Sequence, residues 1–471
     1  MSATLVSLNA WTGEKVVSGA VGPRWRRWAL GEAGREVPKL LRPEDEPDWK
    51  DWRQPRVGWG VVLPERDGFS AADLAAGADA PAPIRKLIAG RGQQVTWKIP
   101  IFRYRGSAPP AERFGFLRNL AAGKDLDTAG SGFGTAANEL PKYLLLVGSP
   151  VEIPWQLQFI LSTQRGVGRL DLADEDGLGR YVDALLGGWN GAAADPKRAV
   201  VWSVEHDASD ITALMRLLVA KKIRGRLAGD ADIGEAGARF LDGKTNAAQA
   251  TRGELAAALA GDRPALVVTT SHGRTGPLDD PKAMKAQLGL PVDQDFKDLD
   301  AAALLAAWQP DGAIWYSHAC CSAGASELSN FAGLFEKGSD AEILLTAIAK
   351  LGDVSAPLPR SLLAAQKPLR AFVGHVEPTF DWTLKNPANA QTLTDALQKS
   401  IHPGLFLGEP VGLAFDRWQR QAAGFNSLAQ RLRDRFNTGE DLSEDDLFPR
   451  LAWRDVESTV ILGDPTAVLP V

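Results

Sequence analysis

Cysteine is almost missing from these 471 residues: there are two, Cys320 and Cys321, and they are neighbours. Adjacent thiols cannot tie distant segments together, so no disulfide framework is expected. A chain of this length buries enough apolar surface to fold without one. Histidine is scarce too, at five. No run approaches the roughly 18 apolar residues that span a bilayer, and Met1–Lys15 lacks the basic start and apolar stretch of a secretory leader. Positive charge is not in excess: 53 Lys and Arg against 58 Asp and Glu leave −5. That argues against a dedicated binder of nucleic acid or anionic membrane. The one basic cluster, Pro23-Arg-Trp-Arg-Arg-Trp28, reads as a solvated face or as arginines stacked on their tryptophans. Ser131-Gly-Phe-Gly-Thr135 is not followed by Gly-Lys-Ser/Thr, so it is no phosphate loop, and no Cys-x-x-Cys or His-Glu-x-x-His marks a metal site. The expectation is a soluble protein of a reducing cytoplasm that needs no cofactor.

What is present changes in texture along the chain. Residues 1–115 hold seven of the 15 tryptophans (Trp11, Trp25, Trp28, Trp49, Trp52, Trp59, Trp97). They read as a region of mixed α and β, regulatory or partner-binding, with strands at Val57–Pro64 and Val95–Phe102. Ala121–Leu140, rich in Gly, Ala, Thr and Asp, reads as a loop or a mobile stretch. Short apolar strands then alternate with amphipathic helices. The strands are Tyr143–Val147, Ala199–Val204, Ala265–Thr270, Ala313–Ala319 and Arg370–Val376. The helices are Ser209–Lys222, Arg252–Ala260, Leu299–Trp308 and Ala341–Lys350. Such alternation predicts a mostly parallel sheet flanked by helices, an α/β/α sandwich. Residues 116–230 would form its first half and 231–471 the half that carries the chemistry.

In open α/β sheets the loops after the carboxyl ends of strands do the chemistry. Three strand ends here read Ser271-His272-Gly273, His318-Ala-Cys320-Cys321-Ser322 and Gly374-His375-Val376-Glu377, which gathers three of the five histidines and both cysteines. Cys320 follows His272 by 48 residues, room for a loop, a helix and the return strand, so the two would end adjacent parallel strands. A thiol beside an imidazole can surrender its proton and become a nucleophile. Gly273 lets the backbone come close and offers an N–H to a developing oxyanion. His318, two residues before Cys320, shares its face of the strand.

These blocks resemble the His-Gly and Ala-Cys blocks of caspase-like cysteine peptidases, the group of caspases, legumains, gingipains, separases and CHAT-domain proteases. Further blocks follow in the same order. Tyr143-Leu-Leu-Leu-Val-Gly-Ser-Pro-Val-Glu-Ile-Pro154 and Val167–Asp176 are similar to the first strands of gingipain-type peptidases. Ala371-Phe-Val-Gly-His-Val-Glu-Pro378 is similar to the strand after the cysteine, and Val460-Ile-Leu-Gly-Asp-Pro-Thr466 to the closing element. The resemblance covers about residues 140–471. It implies a caspase-like fold, His272 as general acid/base, Cys320 as nucleophile, and the N–H groups of Gly273 and Cys320 as oxyanion donors, with Cys321 a bystander. It further implies a pocket for the residue before the scissile bond, bordered by His318, Glu377, Asp381 and Trp382. Carboxylates there would suit Arg or Lys, with Asp279 and Asp280 as competing candidates. A CHAT-type bacterial protease of this kind would act on a partner protein in defence or cell death, under the control of an activator bound by the first third. The chain departs from caspases in carrying His318 where they have glutamine and Cys321-Ser322 after the nucleophile. Two other readings stand beside this one: a caspase-like module that binds without catalysis, and a zinc-dependent hydrolase using His272, His318, His375, Cys320 and Cys321.

Overall fold

The computed structural model describes residues 4–8, 15–20, 46–172, 174–245 and 249–470. The chain divides into two compact units, Met1–Glu46 and Pro47–Val471. In the first, β1 (Thr4–Leu8) and β2 (Lys15–Ala20) form an antiparallel pair with Thr4 opposite Ala20. The basic cluster at 23–28, with Trp11, Trp25 and Trp28, lies outside the described residues.

The second unit is built on one sheet of twelve strands. In chain order these are β3 (Trp59–Pro64), β4 (Ile101–Tyr104), β5 (Phe116–Asn119), β6 (Lys124–Asp127), β7 (Tyr143–Val147), β8 (Gly166–Leu170), β9 (Asp195–Ser203), β10 (Ala238–Leu241), β11 (Pro264–Thr270), β12 (Ile314–His318), β15 (Ala371–His375) and β16 (Thr459–Gly463). The remaining pair, β13 (Gly324–Ala325) and β14 (Val354–Ser355), is a small antiparallel ribbon. Across the sheet the order is β10-β9-β11-β12-β15-β16-β8-β7-β3-β4-β5-β6. The runs β10-β9-β11-β12-β15 and β8-β7-β3-β4 are parallel throughout, while β16 is antiparallel to β15 and the hairpin β5-β6 is antiparallel to β4 and to itself.

The apolar strands explain the layers. Along β11, Val267 enters one core while Leu266 and Val268 enter another, and along β12 Trp315 and Tyr316 divide the same way. A strand apolar on both faces must be covered on both. Helices Arg252–Asp262 and Ala301–Ala307 contribute to the first core, and Asp416–Asn437 and Phe448–Glu457 to the second. Each fully buried Leu, Val or Phe contributes about 1.5–3 kcal/mol. The α/β sandwich is therefore as the alternation predicts.

Two expectations differ from the structure. Residues 47–115 are not a separate region, because β3 and β4 continue the same sheet and the division falls after Glu46. The stretch 121–140 is tied down: it contains β6, and the buried Arg165 donates to the carbonyls of Thr128 and Ser131. No helix among the described residues is long and apolar enough to cross a membrane.

Candidate active site

Strands β11 and β12 run side by side in parallel, with Thr270 opposite His318, and Ser271 N–H donates to His318 O at 3.3 Å. His272 and Cys320 each follow two residues after this pair. The backbones meet here: a Cβ on Gly273 would lie 1.9 Å from Cys320 O. Only glycine permits that approach. Among the described residues no backbone carbonyl takes the N–H of Gly273 or of Cys320.

His272 is oriented by a residue that sequence reasoning missed. Its Nε2 lies 3.0 Å from Asp210 Oδ2, with the two side chains 38% and 28% exposed, so both remain open to solvent. Asp210 follows β9 and caps the helix Ile211–Met215, where Oδ1 accepts the Thr212 N–H at 2.9 Å and the Thr212 hydroxyl. Burial pulls its pKa up, but the Thr212 bonds and the His272 contact outweigh that and hold it below the usual carboxylate value. An ionised carboxylate only accepts, so in the neutral imidazole the His272 proton would sit on Nε2, with Nδ1 as the acceptor. Nothing in the sequence signalled that Asp210 reaches a histidine 62 residues away.

Behind His272 lies His206, also unforeseen. The rings stack with centroids 5.4 Å apart and planes 13° apart, and His206 stacks in turn on Phe296 at 4.2 Å. Phe296 is 68% exposed and adopts φ +61, a backbone state a bulky side chain rarely takes. His206, Asp210 and His272 offer three ligand atoms within 4.8 Å of one another. The near-parallel rings direct their in-plane lone pairs along separate planes, and His206 Nε2 already meets Asp293 O at 2.9 Å. The trio is therefore not preorganised as a chelate.

Cys320 is partly exposed, and its Sγ donates to Thr379 O at 3.6 Å, in the loop after β15. Burial, the largest influence, raises its pKa to about 11, so at neutral pH it is a thiol. Cys321 turns away through φ +55 into a core with Met284, Leu288, Ala325, Ile348 and Val354, and its N–H donates to Glu377 O at 2.8 Å. Trp155 Nε1 holds the following turn through Ala325 O at 2.9 Å.

The four residues expected to border a substrate pocket fall into two pairs. His318 is fully buried, with Nδ1 2.7 Å from Tyr316 Oη and its ring edge-on to His375 at 4.8 Å. Burial lowers its pKa to about 4. It is a core residue and does not border a pocket, because the alternation that sets it on one face of β12 directs it into the helix-covered core. Glu377 is 1% exposed and accepts the Asn330 N–H at 3.0 Å; burial raises its pKa to about 7. It braces the loop rather than facing a substrate. Asp381 is exposed, and the half-buried Trp382 stacks on Phe380 at 4.3 Å beside Phe331 at 5.6 Å. The buried Asp455, another residue not foreseen, holds this loop by accepting from Thr379 Oγ1 at 2.8 Å, Thr383 Oγ1 at 2.7 Å and Phe380 N–H at 3.3 Å. With His318, His375 and Cys321 sealed in the interior, the five residues of the zinc reading do not surround a common open point. Four cavities of about 280 to 620 Å3 among the described residues are lined by other residues.

No protein-family model matches the chain, and no curated protein is similar to it. Among solved structures, one described as "Structure of Protease" superposes with a TM-score of 0.45 and 12% identity, covering 89% of this chain and 80% of that one. A likeness at that level carries no argument about activity.

Proposed function

We propose that this protein is a cysteine endopeptidase of caspase-like, CHAT or gingipain type. The observation that supports the reading is the parallel pairing of β11 with β12, after which the backbone of Gly273, next to His272, meets that of Cys320 at one sheet edge. In this reading Nδ1 of His272 takes the Cys320 proton as Sγ attacks the peptide carbonyl carbon. The new oxyanion is received by the N–H groups of Gly273 and Cys320, neither of which is given to a backbone carbonyl. The imidazolium, stabilised by Asp210, passes its proton to the departing amine, and water then hydrolyses the thioester. Because Cys320 is a thiol at rest, its deprotonation belongs to the attack itself.

The residue before the scissile bond is proposed to be Lys or Arg, its stem lying on Trp382 and its charge reaching Asp381. The first unit, Met1–Glu46, is proposed to receive an activator, and the substrate to be a partner protein in a defence or cell-death response. Mass spectrometry of proteome peptides incubated with wild type and with Cys320→Ala tests the core claim. Peptides ending in Lys or Arg that arise with wild type alone are expected. Identical digests sink the peptidase reading and favour a binding module, while cleavage after other residues sinks only the basic preference.

A further inference from the structure

The sheet edge where β15 begins carries a cavity of about 390 Å3, within the size range of small-molecule sites. Its lining includes four cations, Lys50, Arg53, Arg91 and Arg370, and no carboxylate. Two of the four have carboxylate partners set behind the lining: Arg53 with Asp51 at 3.5 Å and Arg91 with Asp464 at 3.2 Å. The other two have none among the described residues. Lys50 Nζ donates only to Leu407 O at 2.7 Å. Arg370 donates through Nε to Gly312 O at 2.7 Å and through Nη1 to Val468 O at 2.8 Å. Four cations less two carboxylates leave a local charge of +2.

Arg370 is only 5% exposed. A guanidinium that deep without a counter-charge is destabilising. Burial lowers its pKa to about 10, which still leaves it charged at neutral pH. The cations are also held in place before any ligand arrives. Arg370 lies over the Trp189 ring at 5.1 Å, and Trp189, in a left-handed backbone state at φ +52, is pinned by Nε1 to Pro368 O at 3.2 Å. Arg91 lies over Trp52 at 4.5 Å and Trp59 at 4.3 Å, and its Nη1 has no hydrogen-bond partner. Guanidiniums fixed on aromatic rings lose little side-chain freedom when they meet an oxyanion.

We propose that this cavity is a binding site for a phosphate-bearing small molecule, with Arg370 and Lys50 supplying the uncompensated charge. The dianionic charge of a phosphate ester matches the +2 of the lining, and Asn190, Gln94 and Thr466 add neutral polar groups around it. The site is separate from the thiol: Arg370 precedes β15, whereas Thr379, the partner of Cys320, follows it. It does not depend on peptide cleavage.

Isothermal titration of the full chain with pyrophosphate, and separately with ADP, tests the assignment. Saturable one-site binding that weakens with added salt and raises Tm is expected with both. Tighter binding of ADP shows that the site also reads the nucleoside, and equal binding shows that it reads phosphate alone. Lys50 is exposed, so Lys50→Glu should fold with unchanged Tm in the absence of ligand and weaken both ligands by about tenfold or more. Arg370→Met should abolish binding; if it fails to fold, Lys50→Glu carries the test. No saturable heat from either probe, or unchanged affinity in Lys50→Glu, overturns the proposal.

Discussion

Two atoms at the candidate site make quantitative demands of their own. Burial raises the Cys320 thiol to about 11, so alkylation of Cys320 by iodoacetamide should accelerate roughly tenfold per pH unit from neutrality towards that value. Peptide mapping against pH measures this, and a plateau near neutrality would reveal a preformed thiolate instead. Gly273 makes the second demand. Gly273→Ala places a methyl 1.9 Å from Cys320 O, and the backbones must separate, at a cost of about 1–3 kcal/mol. A lowered denaturant midpoint together with lost peptidase activity is expected. A substitution that leaves both unchanged contradicts the contact. The adjacency of β11 and β12, which brings Gly273 against Cys320, was legible in sequence because parallel neighbours carry their ends to one edge. Asp210 and His206 were not, since they enter from β9, a third strand whose tip has no motif. His318 misled because strand alternation gives a shared face but does not say which face a helix will cover.

The loop between β15 and the 3-10 turn Asp381–Thr383 depends on acids that lie beneath it. Asp455, with a usual value of 3.8, is raised to about 7, burial outweighing its hydroxyl and amide donors. A carboxyl raised on folding stabilises the native state while protonated, and that stability is lost as pH climbs through the folded value. Glu377 behaves alike from 4.5 to about 7. His318 opposes them: lowered to about 4, it costs stability as pH falls below 6.5. Asp455→Asn isolates one contribution. The stability of wild type relative to this variant should decline between about pH 4 and pH 7, as read from urea midpoints. A flat difference would mean that Asp455 is ionised in the native protein throughout. None of this could be read from sequence, because Asp455 looks like one more charge on the amphipathic helix Phe448–Glu457 and only the packing reveals its burial.

At the level of the whole chain, the division after Glu46 predicts that Pro47–Val471 folds by itself. A truncated chain starting at Pro47 should melt cooperatively near the temperature of the full chain, and an unfolded product would show that Pro47–Val471 is not self-sufficient. The alternation of strands and helices announced the layered architecture but not the extent of the sheet, since β5 and β6 are short and half exposed. The position of β16 has a further consequence. It is the last strand in sequence yet lies mid-sheet, between β15 and β8. While the ribosome is still making residues 459–463, two unpaired strand borders face each other across an empty seam, the arrangement most open to wrong partners. The sheet can close only once Thr459–Gly463 has been made, so a nascent chain stalled before Thr459 should accumulate on chaperones or in aggregates.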